Sequence, residues 1–547
     1  MISIEIIKKG IEKLKILPQT YKKIKVTEMM SVYINKTLDY CNVGVFPALI
    51  SNCYISQALD SNNWDLSYGD GYPGFSYIDD NYIYSRTNTD NIEPLILLRN
   101  FQGIYREQLE ICEEFRLYHN LHTDDGKSYY KIESDGSSSL VAKIELTKNE
   151  QIVSIRLFEL KQFLAAKNMV LSIQFDGKIY SPFSLECLAL SEINDSVANS
   201  IENYSCVLKD TANLLCPEYQ SCLYLLGKIF ISSFEKNKCG IWPYNEKKKY
   251  ENYIIGIDDN GNEIIANSNP KDLGNFFQSN NENPSYLTPV FFNKEVLDKY
   301  YKHSTMYNVE AGFVGCGGLW GLPIDNDIPN NKIVVWLGDL GQNLPYSEQK
   351  YWRGFNIVPD GGISKAFFNQ QILGKWCTSK QPDLVFKSKY YKLYDKSFKI
   401  WGWYFYLPLL HGDEHCFSDI KIPTSDENSE FDSLILCLTK CLIDSLNEKD
   451  MKKKLAPQDF DKPGIEKVIC FLEENKIVIE QENISFLKNL QALRSSLSAH
   501  RKGERFFKLM KKLGYDKLSN RDIFIDLLNK ANLYLDWLDE IIEEISV

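Results

Sequence analysis

Arg494, Ser495 and His500 sit in the stretch LQALRSSLSAHRKG, residues 490–503, where cationic side chains interrupt a run of leucine, alanine and serine. An arginine neutralises and orients a phosphate, and a histidine gives or takes a proton near neutral pH. Together they could work on a phosphodiester. The basic character continues to residue 521: Arg494, Arg501, Lys502, Arg505, Lys508, Lys511, Lys512, Lys517 and Arg521 are opposed only by Glu504 and Asp516. Such a cluster attracts a phosphate backbone, which makes Arg501, Lys502, Arg505, Lys508 and Lys512 candidate nucleic-acid contacts. A solvated helix end accounts for the same charges, so two readings stand at this point.

The element carrying these residues reads as a helix. At 100° per residue, Phe486, Leu487, Leu490, Leu493 and Leu497 share an arc of roughly 120°. Arg494 falls inside that arc and His500 just beyond its opposite edge. An unpaired guanidinium in an apolar core costs several kcal/mol. Arg494 therefore needs an acidic partner, a path to solvent or a second subunit. After Gly503 the apolar positions (Phe506, Phe507, Met510, Leu513) leave that phase. The helix is expected to break or bend near Lys502–Gly503, which puts His500 close to a helix end.

Four helical segments are predicted, at about 430–454, 463–475, 483–513 and 520–545, forming an antiparallel four-helix bundle over 425–547. An arginine, a polar residue and then a histidine near a helix end in such a bundle resembles the HEPN superfamily, whose motif is Arg, four to six residues, His. The resemblance covers only the C-terminal region. It implies a metal-independent ribonuclease that needs no cofactor and binds RNA, with two bundles pairing as a homodimer. It also implies that His500 acts as general acid or base on the 2′-hydroxyl or the leaving oxygen, while Arg494 holds the phosphate. Ser495 is the polar residue after the arginine. The context implied is prokaryotic anti-phage defence or toxin action, with the N-terminal region sensing a phage-derived or protein trigger, or restraining the effector. The alternative is a non-catalytic RNA-binding or dimerisation module whose N-terminal region binds a protein or small ligand.

The chain contains its own control. Arg116 and His122, in FRLYHNLH, repeat the spacing, but leucine follows the arginine and six acidic residues (Glu107, Glu110, Glu113, Glu114, Asp124, Asp125) flank the pair. That surrounding repels phosphate.

Residues 1–420 read as a mixed α/β region, so the whole is α+β. KIESDGSSSLVAKIEL, LSIQFDGKIYS and YIIGIDDNGNEIIANS carry Asp-Gly or Asn-Gly pairs between apolar runs and are expected to be β-hairpins. EPLILLRNFQGIYREQLEICEEFRLYHNL, RLFELKQFLAAKNM and SKAFFNQQIL are expected helices, the last capped by Ser364. A polar stretch, NSNPKDLGNFFQSNNENPSY, marks a candidate subdivision near 280. LLHGDEHCF holds His411 and His415, weak zinc candidates, because Pro408 and Gly412 favour a loop. AGFVGCGGLWGLP is glycine-rich but opens onto strand-like sequence, which suits tight strand packing better than a phosphate cradle. NLPYSEQKYWRGFNIVPDGG and NWDLSYGDGYPGFSYIDD group aromatic and charged side chains of the kind found at recognition surfaces.

The net charge of −11 excludes coating of nucleic acid by the whole surface. No apolar run reaches the roughly 18 residues of a membrane span. MISIEIIKKGIEKLKIL alternates apolar and charged positions, unlike a secretion signal. Fourteen cysteines without regular spacing are expected to be free thiols in a cytoplasmic protein, with Cys437 and Cys441 in core packing.

Overall fold

The computed structural model describes residues 3–60, 74–85, 91–211, 218–274, 280, 282–303, 305–328, 332–375, 379–424, 426–459, 461–497 and 504–545. The architecture is α+β. Two compact units are present: residues 1–133 with 137–247, and residues 134–136 with 248–547.

The first unit is built on one long antiparallel sheet. Its main strands are β1 (Met29–Leu38), β2 (Cys41–Ser51), β3 (Ser128–Ile132), β4 (Ser138–Leu146), β5 (Glu150–Arg156), β6 (Met169–Ser181), β7 (Ile193–Ala198), β8 (Glu202–Asp210) and β9 (Ser221–Ile231), in the order β7-β8-β9-β6-β2-β1-β5-β4-β3, and the short strand Ile92–Glu93 also pairs with β2. Side chains alternate across the pleat. On β6, Leu171, Ile173, Phe175 and Ile179 face the main core, while Val170 joins Ala48 and Ile50 of β2 in a smaller cluster. Three helices pertinent to this unit are α1 (Ile4–Lys23), α2 (Glu113–Tyr118) and α3 (Leu157–Lys167). Ile7, Ile11 and Leu14 of α1 and Leu160, Phe163 and Leu164 of α3 bury against the main face.

Two expectations are corrected here. LSIQFDGKIYS is one continuous strand, β6, with Asp176–Gly177 in its interior. A Cβ on Gly177 would lie 2.5 Å from Leu14 Cδ1, so the glycine admits α1 against the sheet and makes no turn. The first long expected helix is instead a hairpin, Ile96–Phe101 paired with Tyr105–Ile111, followed by the short α2. Gln102 and Gly103 both take positive φ (59° and 76°), and Ile104 N donates to Phe101 O at 3.0 Å, closing a tight turn between the paired residues Phe101 and Tyr105. Three other expectations in this part of the chain agree with the structure. β3 and β4 form the first expected hairpin, and Asn252–Ile257 pairs with Glu263–Asn267 as the third. RLFELKQFLAAKNM gives α3, ended by Asn168 in the left-handed region.

In the second unit, the glycine-rich stretch forms two strands of a small sheet, Phe313–Cys316 and Trp320–Pro323, next to Tyr307–Glu310. Further elements are α4 (Asp298–Lys302) and α5 (Tyr346–Arg353). In α5, Trp352 is fully buried and its Nε1 donates to Tyr300 Oη at 2.7 Å; Tyr300 Oη donates to Glu348 Oε2 at 2.6 Å. Glu348, itself 1% exposed, also pairs with Lys299. Glu348 and Trp352 of this stretch are thus interior struts. Ser364 Oγ accepts from Phe367 N at 3.0 Å, capping Lys365–Gln371 as expected. Of the tyrosine-rich stretch at 63–80, residues 63–73 lie outside the described residues; residues 275–279 and 281 of the polar stretch near 280 do so too.

Further helices are α6 (Pro382–Trp401), α7 (His415–Asp419), α8 (Asn428–Thr439), α9 (Gly464–Glu474), α10 (Gln481–Leu497), α11 (Glu504–Leu513) and α12 (Asn520–Glu544). The single helix expected over 430–454 is instead α8, a turn and the separate short helix Glu448–Lys452. One core joins Phe431, Leu438, Phe471, Leu487, Leu490, Phe524 and Leu535 with Phe386, Tyr390 and Leu393 of α6. A π-helical turn, Lys440–Asp444, follows α8 directly. Cys437 and Cys441 are buried in this core, and the described cysteines are free thiols. No helix among the described residues is long and apolar enough to cross a membrane.

Candidate functional site

The face of α10 that was expected to be buried is buried: Phe486, Leu487, Leu490 and Leu493 are in the core, with Leu497 packed against it. Arg494 occupies the last turn of that helix. Its side chain escapes the apolar arc by reaching outward, keeping 36% exposure, and Nη1 donates to Asp444 Oδ1 at 2.8 Å. Asp444 closes the π-helical turn, so the extra residue in that turn helps aim the carboxylate at α10. Nothing local in the sequence marks Asp444 as the partner, because it lies 50 residues earlier. Ser495 Oγ donates to Gln491 O at 2.8 Å, a bond within its own helix.

α10 is described as far as Leu497 and α11 from Glu504. His500, Arg501 and Lys502 fall between these limits and lie outside the described residues. Arg505 is in the first turn of α11. Lys508 is exposed and pairs with Glu504 at 3.0 Å; Lys511 and Lys512 are exposed in the last turn. Arg521 turns away from this group, with Nη1 on Pro423 O at 2.8 Å. Among the described residues the exposed basic side chains of this group include Lys508, Lys511 and Lys512 of α11.

The control pair is dispersed. Arg116 Nε donates to Ile111 O at 3.1 Å, tying it to the preceding strand. His122 exchanges two backbone hydrogen bonds with Tyr130, each 2.9 Å, well past the end of α2.

His411 and His415 do not converge on a shared centre. His411 Nδ1 lies 3.0 Å from Glu414 Oε1 on an exposed turn, and His415 opens the short α7 beside Cys416. Among the described residues no cluster of three or more His, Cys, Asp or Glu side chains is arranged to hold a metal.

The arrangement around Arg494 offers a solvent-reachable guanidinium, fixed by one carboxylate, beside a helix with exposed lysines. Such a group can exchange its carboxylate for a phosphate, since each presents a pair of anionic oxygens to the guanidinium fork. Comparison of the chain with protein-family models, curated proteins and solved structures found no match.

Proposed function

We propose that the C-terminal helical region is a HEPN-like four-helix effector with metal-independent ribonuclease activity, acting in the cytoplasm as part of a prokaryotic anti-phage or toxin system. In this reading Arg494 binds the scissile phosphate and His500 moves the proton, with Ser495 as the polar neighbour. Arg501, Lys502, Arg505, Lys508 and Lys512 draw in the RNA backbone, two copies pair through the bundle, and the preceding region senses a trigger. The observation that supports it is the outward reach of Arg494 from an otherwise apolar helix face onto a half-exposed carboxylate.

That same contact supports a second reading. An arginine satisfied by Asp444 also serves as a tie between α10 and the turn after α8, in a helical module that binds RNA or a second copy without chemistry.

One experiment separates the two. Purified full-length protein is incubated with total RNA in EDTA, and product ends are analysed. The nuclease reading expects 2′,3′-cyclic phosphate ends, lost in His500→Ala and Arg494→Ala and retained in His122→Ala. Because the N-terminal region could hold the effector latent, growth on expression is compared in parallel: wild type arrests growth and His500→Ala does not. RNA binding with no cleavage and no toxicity supports the second reading. Intact RNA, no binding and no toxicity rejects RNA as a partner.

A further inference from the structure

A cavity of about 630 Å³ in the second unit gathers aromatic rings around one amine. Its floor is a stripe on α6: Leu384, Lys387, Ser388 and Tyr391 recur at helical spacing on one face. The strand Tyr307–Glu310 and Phe417 of α7 also line it. The Lys387 amine donates to Ser418 O at 2.7 Å and lies 5.4 Å from the centroid of the Tyr301 ring. Among the described residues Ser418 O is its one hydrogen-bond partner, although an ammonium carries three donors. Tyr391, 64% exposed, meets Phe417 edge-on with centroids 4.9 Å apart. A tyrosine that open, beside a half-buried ring and a recessed cation, leaves apolar and electrostatic surface for a ligand to cover.

The open donors of Lys387 say which kind. Burial pushes the Lys387 amine down to about 8, even though Asp383, Asp419 and Glu310 pull it the other way. That shift comes from burial and not from a lack of carboxylates, since Glu310 itself lines the cavity. What stays open is geometric: two of the three ammonium donors have no hydrogen-bond partner among the described residues, and an anion entering the cavity fills them. The volume falls within the roughly 300–1,000 Å³ typical of small-molecule sites.

We propose that this cavity binds a small planar aromatic anion, whose carboxylate or phosphate meets Lys387 and whose ring packs on Tyr391 and Phe417. The site is independent of the nuclease reading: it involves neither Arg494 nor His500.

The test uses pyridoxal 5′-phosphate as probe on the full-length protein, with borohydride trapping and peptide mapping. The lysine amine adds to the probe's aldehyde carbon and expels water to give an imine; hydride from borohydride then reduces the imine to a stable secondary amine. Lys228 is the internal control, because burial lowers it to about 8 as well, yet it is 1% exposed with its amine on Ala58 O at 2.6 Å. The proposal expects Lys387 to be labelled at least tenfold more than Lys228 and than the surface lysines at equimolar probe. Excess pyridoxine 5′-phosphate (the phosphate arm) or 4-pyridoxic acid (the carboxylate arm) is expected to cut that labelling at least fivefold; cyclohexanecarboxylate is expected to leave it unchanged. Tyr391→Ser is expected to reduce labelling about fivefold with an unaltered melting temperature. Labelling spread evenly over lysines, or equal protection by the aromatic and alicyclic acids, overturns it. Every decisive arm except Tyr391→Ser uses the wild-type protein, so a variant that misfolds does not obscure the result.

Discussion

Arg494 and Asp444 form a cross-helix ion pair, Nη1 to Oδ1 2.8 Å, in which both side chains keep more than a third of their exposure. An ion pair this open contributes about 0–1 kcal/mol. Stability is therefore a weak reason for its existence, and its removal is a clean probe of function. Asp444→Asn is expected to cost no more than about 1 kcal/mol in urea denaturation. It also releases the guanidinium, so binding of a fluorescein-labelled RNA, followed by anisotropy at low salt, is expected to tighten about threefold. Arg494→Ala is expected to weaken that binding. If Asp444→Asn lowers the denaturation midpoint sharply while RNA binding by the still-folded protein does not move, the pair is a structural tie and nothing more.

Glu348 presents the opposite case. Its carboxylate is 1% exposed and is held by Tyr300 and Lys299, while Trp352 donates to the same tyrosine hydroxyl. Removing one member leaves others buried without their partner. Glu348→Ala is expected to destabilise by about 3–5 kcal/mol, and Tyr300→Phe by about 1–2 kcal/mol, read as shifts in the denaturant midpoint. Equal and small effects from both variants would show that the network relaxes, and that its packing matters more than its charges.

Gly341 lies inside the helix Leu337–Asn343, where replacement by alanine ordinarily helps by about 1 kcal/mol. Here the sign reverses, because an added Cβ would fall 1.8 Å from Ser268 O, a backbone atom. Gly341→Ala is expected to lose about 2 kcal/mol or more through forced backbone movement. Gly318→Ala, with nothing within 4 Å of its Cβ, is expected to stay within about 0.5 kcal/mol of wild type. Thermal melts of the two variants side by side check the contrast.

These cases also show where sequence reading reaches and where it stops. The Ser364 cap and the four buried positions of α10 were legible because their causes are local: a side chain bonding three residues away, and a periodicity of one helix. Gly177 was not, because the reason for that glycine is Leu14, far away in the chain and visible only once α1 lies on β6. The segment around Gln102–Gly103 has both helix-like periodicity and a turn pair, and pairing of the two arms as strands decided between them. At the candidate site, the need for a partner to Arg494 could be stated in advance on desolvation grounds, but Asp444 could not be named. Lys387 carried no signal either: its cavity is assembled from four separate segments.

His119 gives a pH dependence whose sign can be worked out. Its ring is 7% exposed, packed edge-on against Phe115 and Tyr118, with Nε2 2.9 Å from Glu159 O. Burial is the largest influence and pushes the imidazole down to about 4; the Glu159 carbonyl opposes this, while the nearby cations Lys131 and Arg156 reinforce it. In the unfolded chain the same group titrates near 6.5. Between these values the unfolded state holds a proton that the folded state refuses. This contribution to stability is complete above pH 6.5 and declines as pH falls towards 4, by about 3 kcal/mol in all. Carboxylates titrate over part of this range too, so the informative quantity is the difference between wild type and His119→Gln. That difference in unfolding free energy is expected to shrink by about 3 kcal/mol between pH 7 and pH 4. A difference independent of pH would mean that the folded ring accepts a proton as readily as the unfolded one does, and that its burial yields to solvent when it is charged.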